Sequence, residues 1–255
     1  MKIILSPAKQ MTADADALAP TGTPQYIEEA REILSWLRSL SESALKALWN
    51  CNEQIAAQNI ERLQNADLSA NLTPAVLAYD GIAYKYMAPS VFEDGQFAYV
   101  EKNLRILSAF YGVLRAMDGI VPYRLEMQAK GVPAGAKNLY AFWGRKLYDA
   151  VRVESGVIVN LASKEYSKCI TPYLSPCDRM ITAEFLERGA NGKLVTKATY
   201  AKMARGEMVR YLAERNAEDP EELKGFDRLG YVYRDDLSDD ANFVFERIAD
   251  AGAKA

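Results

Sequence analysis

Histidine is missing from this 255-residue chain. Its absence excludes serine and cysteine triads, HExxH zinc sites and imidazole proton relays, so any catalysis would fall to Lys, Asp, Glu, Tyr or Cys. Cysteine is scarce and odd in number. Cys51, Cys169 and Cys177 lack the CxxC spacing of zinc ribbons and redox pairs, and a reducing compartment suits them as small buried apolar residues. Long apolar runs are missing too. The opening MKIILSPAKQ holds three consecutive apolar residues before Ser6-Pro7, too few for a signal-peptide core, and no later stretch approaches a membrane span. A cytoplasmic protein with no membrane partner is expected. The acidic cluster from Asp235 to Asp240 lacks the glycine and terminal glutamate of a calcium loop and reads as a solvated turn, so neither a metal nor a cofactor is expected. With no linker, repeat or low-complexity tract, residues 1–250 read as one domain and residues 251–255 as a disordered tail.

What is present is the composition of an ordinary globular protein, 49% hydrophobic and 25% charged. The net charge of -3 hides an uneven distribution. Residues 102–152 carry 9 Lys/Arg against 3 Asp/Glu, and residues 164–215 carry 10 against 6, whereas the flanking stretches are acidic. A fold that brought the two basic stretches together would present phosphates with a positive surface on an acidic protein; the alternative is chance clustering along the chain.

Periodicity places a short strand at Lys2–Leu5, then Ser6 and Pro7 as a helix cap and first helical residue. Amphipathic helices are predicted over Gln25–Leu40, Ser43–Trp49, Glu53–Leu63, from Thr73-Pro74 toward Met87, over Gln96–Phe110, and over Leu139–Val151. Strands follow at Val157–Val159, Arg179–Phe185, Lys193–Tyr200, Gly230–Tyr233 and Asn242–Arg247, interrupted by a helix around Lys202–Arg215. Asn191-Gly192 marks a hairpin. The order of elements predicts an α+β or mixed α/β domain, a mixed sheet surrounded by helices.

Several short motifs carry chemistry. Ser6-Pro7-Ala8-Lys9 has the SxxK spacing that sets a serine and a lysine one helical turn apart; Ser-Pro capping accounts for part of it equally well. Leu107 to Arg115, with Gly112 between apolar residues and a cation after it, resembles half of a helix-hairpin-helix, in which glycine-hairpin amides meet a DNA phosphate; a helix C-cap at Gly112 is the alternative. Pro122 to Met127 is polar, aromatic and charged. Arg124 and Glu126 project to one side if extended and pair there, while Tyr123 is placed to stack on a base or sugar. Tyr140, Phe142, Trp143, Arg145 and Lys146 combine aromatics and cations, as on a nucleic-acid surface or, for Phe142 and Trp143, a helix core. Asn160 to Ser163 leaves a buried strand at its carboxyl end, where ligand sites of parallel sheets lie, so that Lys9 and Ser163 would share a crevice. Lys202 and Arg205 offer two more cations.

Taken in order, Ser6-Pro7-Ala8-Lys9, Tyr111 to Arg115, Pro122 to Met127, Leu139-Tyr140 with Phe142-Trp143-Gly144, Asn160 to Ser163 with Glu165-Tyr166, and Ala204-Arg205-Gly206 resemble the YaaA peroxide-stress family from Lys2 to about Arg247. The resemblance implies a mixed α/β domain with a helix-hairpin-helix-like element, and a basic cleft that binds duplex or branched DNA by structure rather than sequence. It also implies protection in peroxide stress, linked to limiting iron-driven oxidative damage to DNA. Transferred by position, the hairpin is Tyr111 to Leu114 with Arg115 near phosphate, and Lys9 and Arg124 lie in the cleft. Tyr123, Arg145, Lys202 and Arg205 complete the expected DNA contacts. A second reading is an enzyme acting on a nucleotide or another phosphorylated small molecule, with Lys9 and Ser6 as catalytic candidates and Asn160 and Ser163 shaping the pocket. A third is an interaction protein using its aromatic surface.

Overall fold

Short apolar segments, largely buried, build the centre of this protein. The computed structural model describes residues 1–14, 18–133, 135–152 and 156–248; the expected tail at residues 251–255 lies outside them. One eight-stranded sheet is formed by β1 (Lys2–Leu5), β2 (Leu104–Ser108), β3 (Gly112–Leu114), β4 (Val157–Leu161), β5 (Arg179–Arg188), β6 (Leu194–Val195), β7 (Tyr231–Tyr233) and β8 (Asn242–Arg247). Its spatial order is β7-β8-β5-β4-β1-β2-β3, with β6 paired to β5. The five inner strands are parallel, and β3 and β7 close the edges antiparallel. The sheet is therefore mixed, in a mixed α/β fold, as the order of elements predicts.

Besides single turns at Ala75–Ala78 and Lys164–Ser167, the α-helices among the described residues are α1 (Ile27–Ser39), α2 (Glu42–Trp49), α3 (Glu53–Asn65), α4 (Ile82–Met87), α5 (Asp94–Asn103), α6 (Leu139–Trp143), α7 (Lys146–Val151) and α8 (Ala198–Arg215). Local chemistry sets several starts. Ser41 and Asn52 accept the backbone N–H groups of Ala44 and Ile55, and Glu93 forms a capping box with Gln96. Ala30, Ile33, Leu34 and Leu37 bury the stripe of α1, as its spacing of three and four requires. Among the described residues no helix is long and apolar enough to cross a membrane.

Several expectations are corrected. The predicted helix over Gln96–Phe110 ends at Asn103, and Leu104 to Leu114 form the β2–β3 hairpin. Every residue of β2 is buried. An inner strand covered on both faces needs no polar alternation, so Leu104 and Leu107 satisfied a helical period equally well. The element around Gly112 is thus strand-turn-strand, with no helix-hairpin-helix. Gly144, at φ +51, divides the helix expected over Leu139–Val151 into α6 and α7. The segment from Thr73 to Met87 becomes two two-residue strands, one helical turn and α4. Of the strand expected over Lys193–Tyr200 only Leu194–Val195 pairs, and α8 begins at Ala198. No helix follows Ser6-Pro7; the chain runs on to a short strand at Gln10–Met11 that pairs with Tyr79–Asp80.

Candidate functional site

From β1 the chain crosses to β2 on one side, and later returns to β4 on the other side of β1. The strand order reverses between β1 and β4, and the loops leaving their carboxyl ends part there to leave a crevice. A cavity of about 380 Å³ occupies this position. Its walls come from Leu5 to Gln10 after β1, Leu161, Ser163, Glu165 and Tyr166 after β4, Asp80 to Tyr84 entering α4, Tyr123 to Glu126, and Lys202 and Arg205 on α8.

The floor is a serine pair. Ser6 Oγ accepts the Ser163 N–H at 2.8 Å and lies 3.2 Å from Ser163 Oγ, while the Tyr84 hydroxyl donates to the Ser6 carbonyl at 3.0 Å. Asn160 stands behind this floor: it is buried, accepts the Ala162 N–H and reaches Thr182 Oγ1, so it shapes the turn without lining the cavity. Tyr123 closes another wall, its hydroxyl bonded to Tyr79 at 2.8 Å and to Ser108 at 2.7 Å. Burial pushes the Tyr123 phenol up to about 12 and raises Tyr84 and Tyr166 well above the usual phenol range. At neutral pH these rings are apolar walls with hydroxyl donors, and none is a base. Burial likewise pushes the Cys169 thiol up to about 12, which leaves it inert.

The charged wall is different in kind. Lys9 Nζ lies 2.7 Å from Glu126, and Arg124 reaches the other oxygen of that carboxylate only at 4.0 Å. The Arg124 side chain is 10% exposed, yet among the described residues its Nε has no partner, and its Nη1 donates over 3.5 Å to the Lys9 carbonyl. Arg205 repeats the pattern, with its Nε buried and unpartnered and its guanidinium lowered from the ordinary value by burial. Buried polar groups are satisfied in the great majority of cases, so these two Nε atoms are exceptions on residues that line one cavity. Glu165, half-buried behind them, accepts the Gln128 N–H at 3.1 Å, and burial raises its carboxyl above the usual range. α8 is held in place by a close crossing at Gly206, where a Cβ would run into the Ala83 carbonyl of α4. That crossing sets Lys202 and Arg205 against the Tyr84 wall.

The structure brings one group of the residues singled out from the sequence together and places another group elsewhere. Ser6, Lys9, Tyr123, Arg124, Ser163, Lys202 and Arg205 line one cavity. Lys9 and Ser6 are not a helical-turn pair: they lie in a loop, and Lys9 is exposed and ion-paired, the state of a clamp rather than a nucleophile. Tyr111 and Gly112 are buried elsewhere. The N–H groups of Phe110 and Tyr111 are taken by Ser108 Oγ, the Tyr111 hydroxyl accepts the Val121 N–H, and a Cβ at Gly112 would lie 2.8 Å from the Trp143 ring. The Phe110 and Tyr111 amides of this turn are therefore already used within the fold. Arg115 is exposed beyond β3, and Arg145 pairs with Asp149 at 3.0 Å and covers the Tyr148 ring; neither lines the cavity. Trp143 is core, its indole N–H donating to the Ala109 carbonyl at 2.9 Å. Tyr84, Glu126, Glu165 and Tyr166 were not expected as site residues. The last two follow the carboxyl end of β4, where the strand-end rule that singled out Ser163 applies to them also; nothing in the sequence around Tyr84 points to a site.

The family model described as peroxide stress protein YaaA matches residues 1–237. The chain belongs to this family. Among curated relatives it is 62% identical to a UPF0246 protein of Agathobacter rectalis over 97% of this chain and 99% of that one. It is 51% identical to the UPF0246 protein of Desulfitobacterium hafniense over 96% and 97%, and 49% identical to that of Lachnoclostridium phytofermentans over 96% of each chain. The cavity described above is accordingly a feature of a peroxide stress protein of the YaaA family, and its Ser6 to Lys9, Tyr123 to Glu126 and Ser163 to Tyr166 walls lie inside the matched range.

Proposed function

We propose that this YaaA-family protein binds DNA at the crevice between β1 and β4, taking the phosphate of a nucleotide unit against Arg124, Lys202 and Arg205, and that this binding serves protection of DNA from iron-driven peroxide damage. The observation that carries the reading is one cavity lined by four cations, Lys9, Arg124, Lys202 and Arg205, two of which are guanidinium groups with a buried Nε that has no partner among the described residues. Arginine forks match phosphate oxygens, and a pocket of this size with aromatic walls suits one nucleotide. The β2–β3 hairpin is not the DNA element in this reading, because its turn is buried and the Phe110 and Tyr111 amides are already bonded.

Titration of a branched duplex and of a single-stranded oligonucleotide at two salt concentrations tests it. Binding is expected to weaken steeply with salt and to be lost in Arg124→Ala with Arg205→Ala. Salt-insensitive binding, or unchanged binding by that double variant, rejects it.

A small-molecule source of the same phosphate is supported by the concave shape of the cavity and by the two carboxylates, Glu126 and Glu165, beside the cations. Thermal stabilisation by free nucleotides but not by DNA would favour that source, with Ser6 and Lys9 then positioning the ligand.

A further inference from the structure

The carboxylates in this pocket set its charge. Four cations line it: Lys9, Arg124, Lys202 and Arg205. Glu126 faces the first two, at 2.7 Å and 4.0 Å, and Asp80 is matched by Lys85 at 3.1 Å. Glu165 sits among them with one oxygen on a backbone N–H. Lys202 and Arg205 have no carboxylate within ion-pair distance among the described residues, so the uncompensated positive charge lies on the α8 wall.

On the nucleotide reading above, we infer that Glu126 is a built-in counter-anion that limits the ligand to a single phosphate group, that of a nucleoside monophosphate or of one nucleotide in a strand. In the unliganded pocket its carboxylate stands beside Lys9 and Arg124 and holds them apart from solvent anions. A phosphate held by Lys202 and Arg205 leaves the contacts of Glu126 with Lys9 and Arg124 unchanged. A second or third phosphate that turns toward Lys9 meets Glu126 already beside it, and two anions then compete for one ammonium. Glu126 is thus a specificity-determining residue, and it is half-exposed, so changing it does not disturb the core.

The test is calorimetric titration of adenosine mono-, di- and triphosphate without divalent metal, at fixed ionic strength because exposed charges are screened by salt. A 5′-phosphorylated single-stranded oligonucleotide is titrated alongside to separate strand from free nucleotide as the source. Wild type is expected to bind the monophosphate about tenfold or more tightly than the triphosphate. Glu126→Gln should remove or invert that ratio, and Lys9→Gln, which leaves Glu126 unmatched, should widen it. Circular dichroism checks that each variant is folded. A wild-type preference for the triphosphate, or a ratio unchanged by Glu126→Gln, overturns the inference while leaving an anion pocket in place; the pocket itself then stands or falls on whether Arg124→Ala with Arg205→Ala abolishes triphosphate binding. No binding of any of the four ligands overturns both.

Discussion

Both ends of the parallel sheet are rich in cations, and they use them in opposite ways. At the amino end, Lys2 donates to the Lys102 carbonyl, Lys102 pairs with Glu218 at 2.9 Å, and the buried Arg105 donates to the Glu101 and Leu104 carbonyls. Those groups are satisfied within the fold. At the carboxyl end, Arg124 and Arg205 are partly buried, and each has a buried Nε with no acceptor among the described residues. A count of Lys and Arg along the chain does not separate the two ends; the presence or absence of acceptors does. A basic stretch marks a ligand site only where the fold withholds the partners that backbone carbonyls and carboxylates supply elsewhere.

The largest effect expected on this contrast is at Gly206. Replacing it by alanine forces α8 away from α4 and costs about 3 kcal/mol, as overpacking at a tight crossing does. A thermal unfolding scan reads this, and an unchanged midpoint would mean that the crossing does not fix Lys202 and Arg205. Next in size, Arg124→Ala with Arg205→Ala should weaken binding of a phosphorylated oligonucleotide by about tenfold or more, because charge-assisted bonds are lost. Arg115→Ala with Arg145→Ala, removing equal charge elsewhere, should weaken it by about twofold or less. Equal losses from the two pairs would erase the distinction between the ends.

Smaller effects belong to pH, and they concern the amino end. Burial pushes the Asp118 carboxyl up to about 6. The folded state therefore holds a proton that the unfolded chain has released, and stability should fall as pH rises from about 4 to about 6. Asp118→Asn should flatten that slope in denaturant titrations. Lys2 is lowered to about 8 by burial and by the neighbouring Arg105, Arg115 and Lys102. Here the unfolded chain binds the extra proton, so stability should rise from about pH 8 toward about pH 10, and Lys2→Gln should remove the rise. A flat profile in wild type would show that the amino end is better compensated than its geometry indicates.

Much of this was legible in the residues. The stripe of α1 and the caps of α2 and α3 are local, and the Asn191-Gly192 turn joins β5 to β6 with Gly192 at φ +75. The rule for strand ends points to Ser163, which lines the cavity, and alternation along an extended run puts Arg124 and Glu126 on one side, where they lie 4.0 Å apart. The hairpin around Gly112 was read as helical because β2 is covered on both faces and so carries no period of two. Tyr84 and the α8 cations share a wall only because Gly206 lets two helices touch.

The sequence by itself determined the local signals: where helices start, which strand ends carry polar residues, which chemistries lack a histidine to run them, and which family the ordered motifs belong to. Tertiary structure alone decided that β1 and β4 are neighbours, that their loops open a crevice lined by residues from five separate stretches, and which arginines lack acceptors. The physical reason is that satisfaction of a buried donor depends on groups brought together across the sheet, and those pairings arise from strand order and helix crossing rather than from any window of the chain.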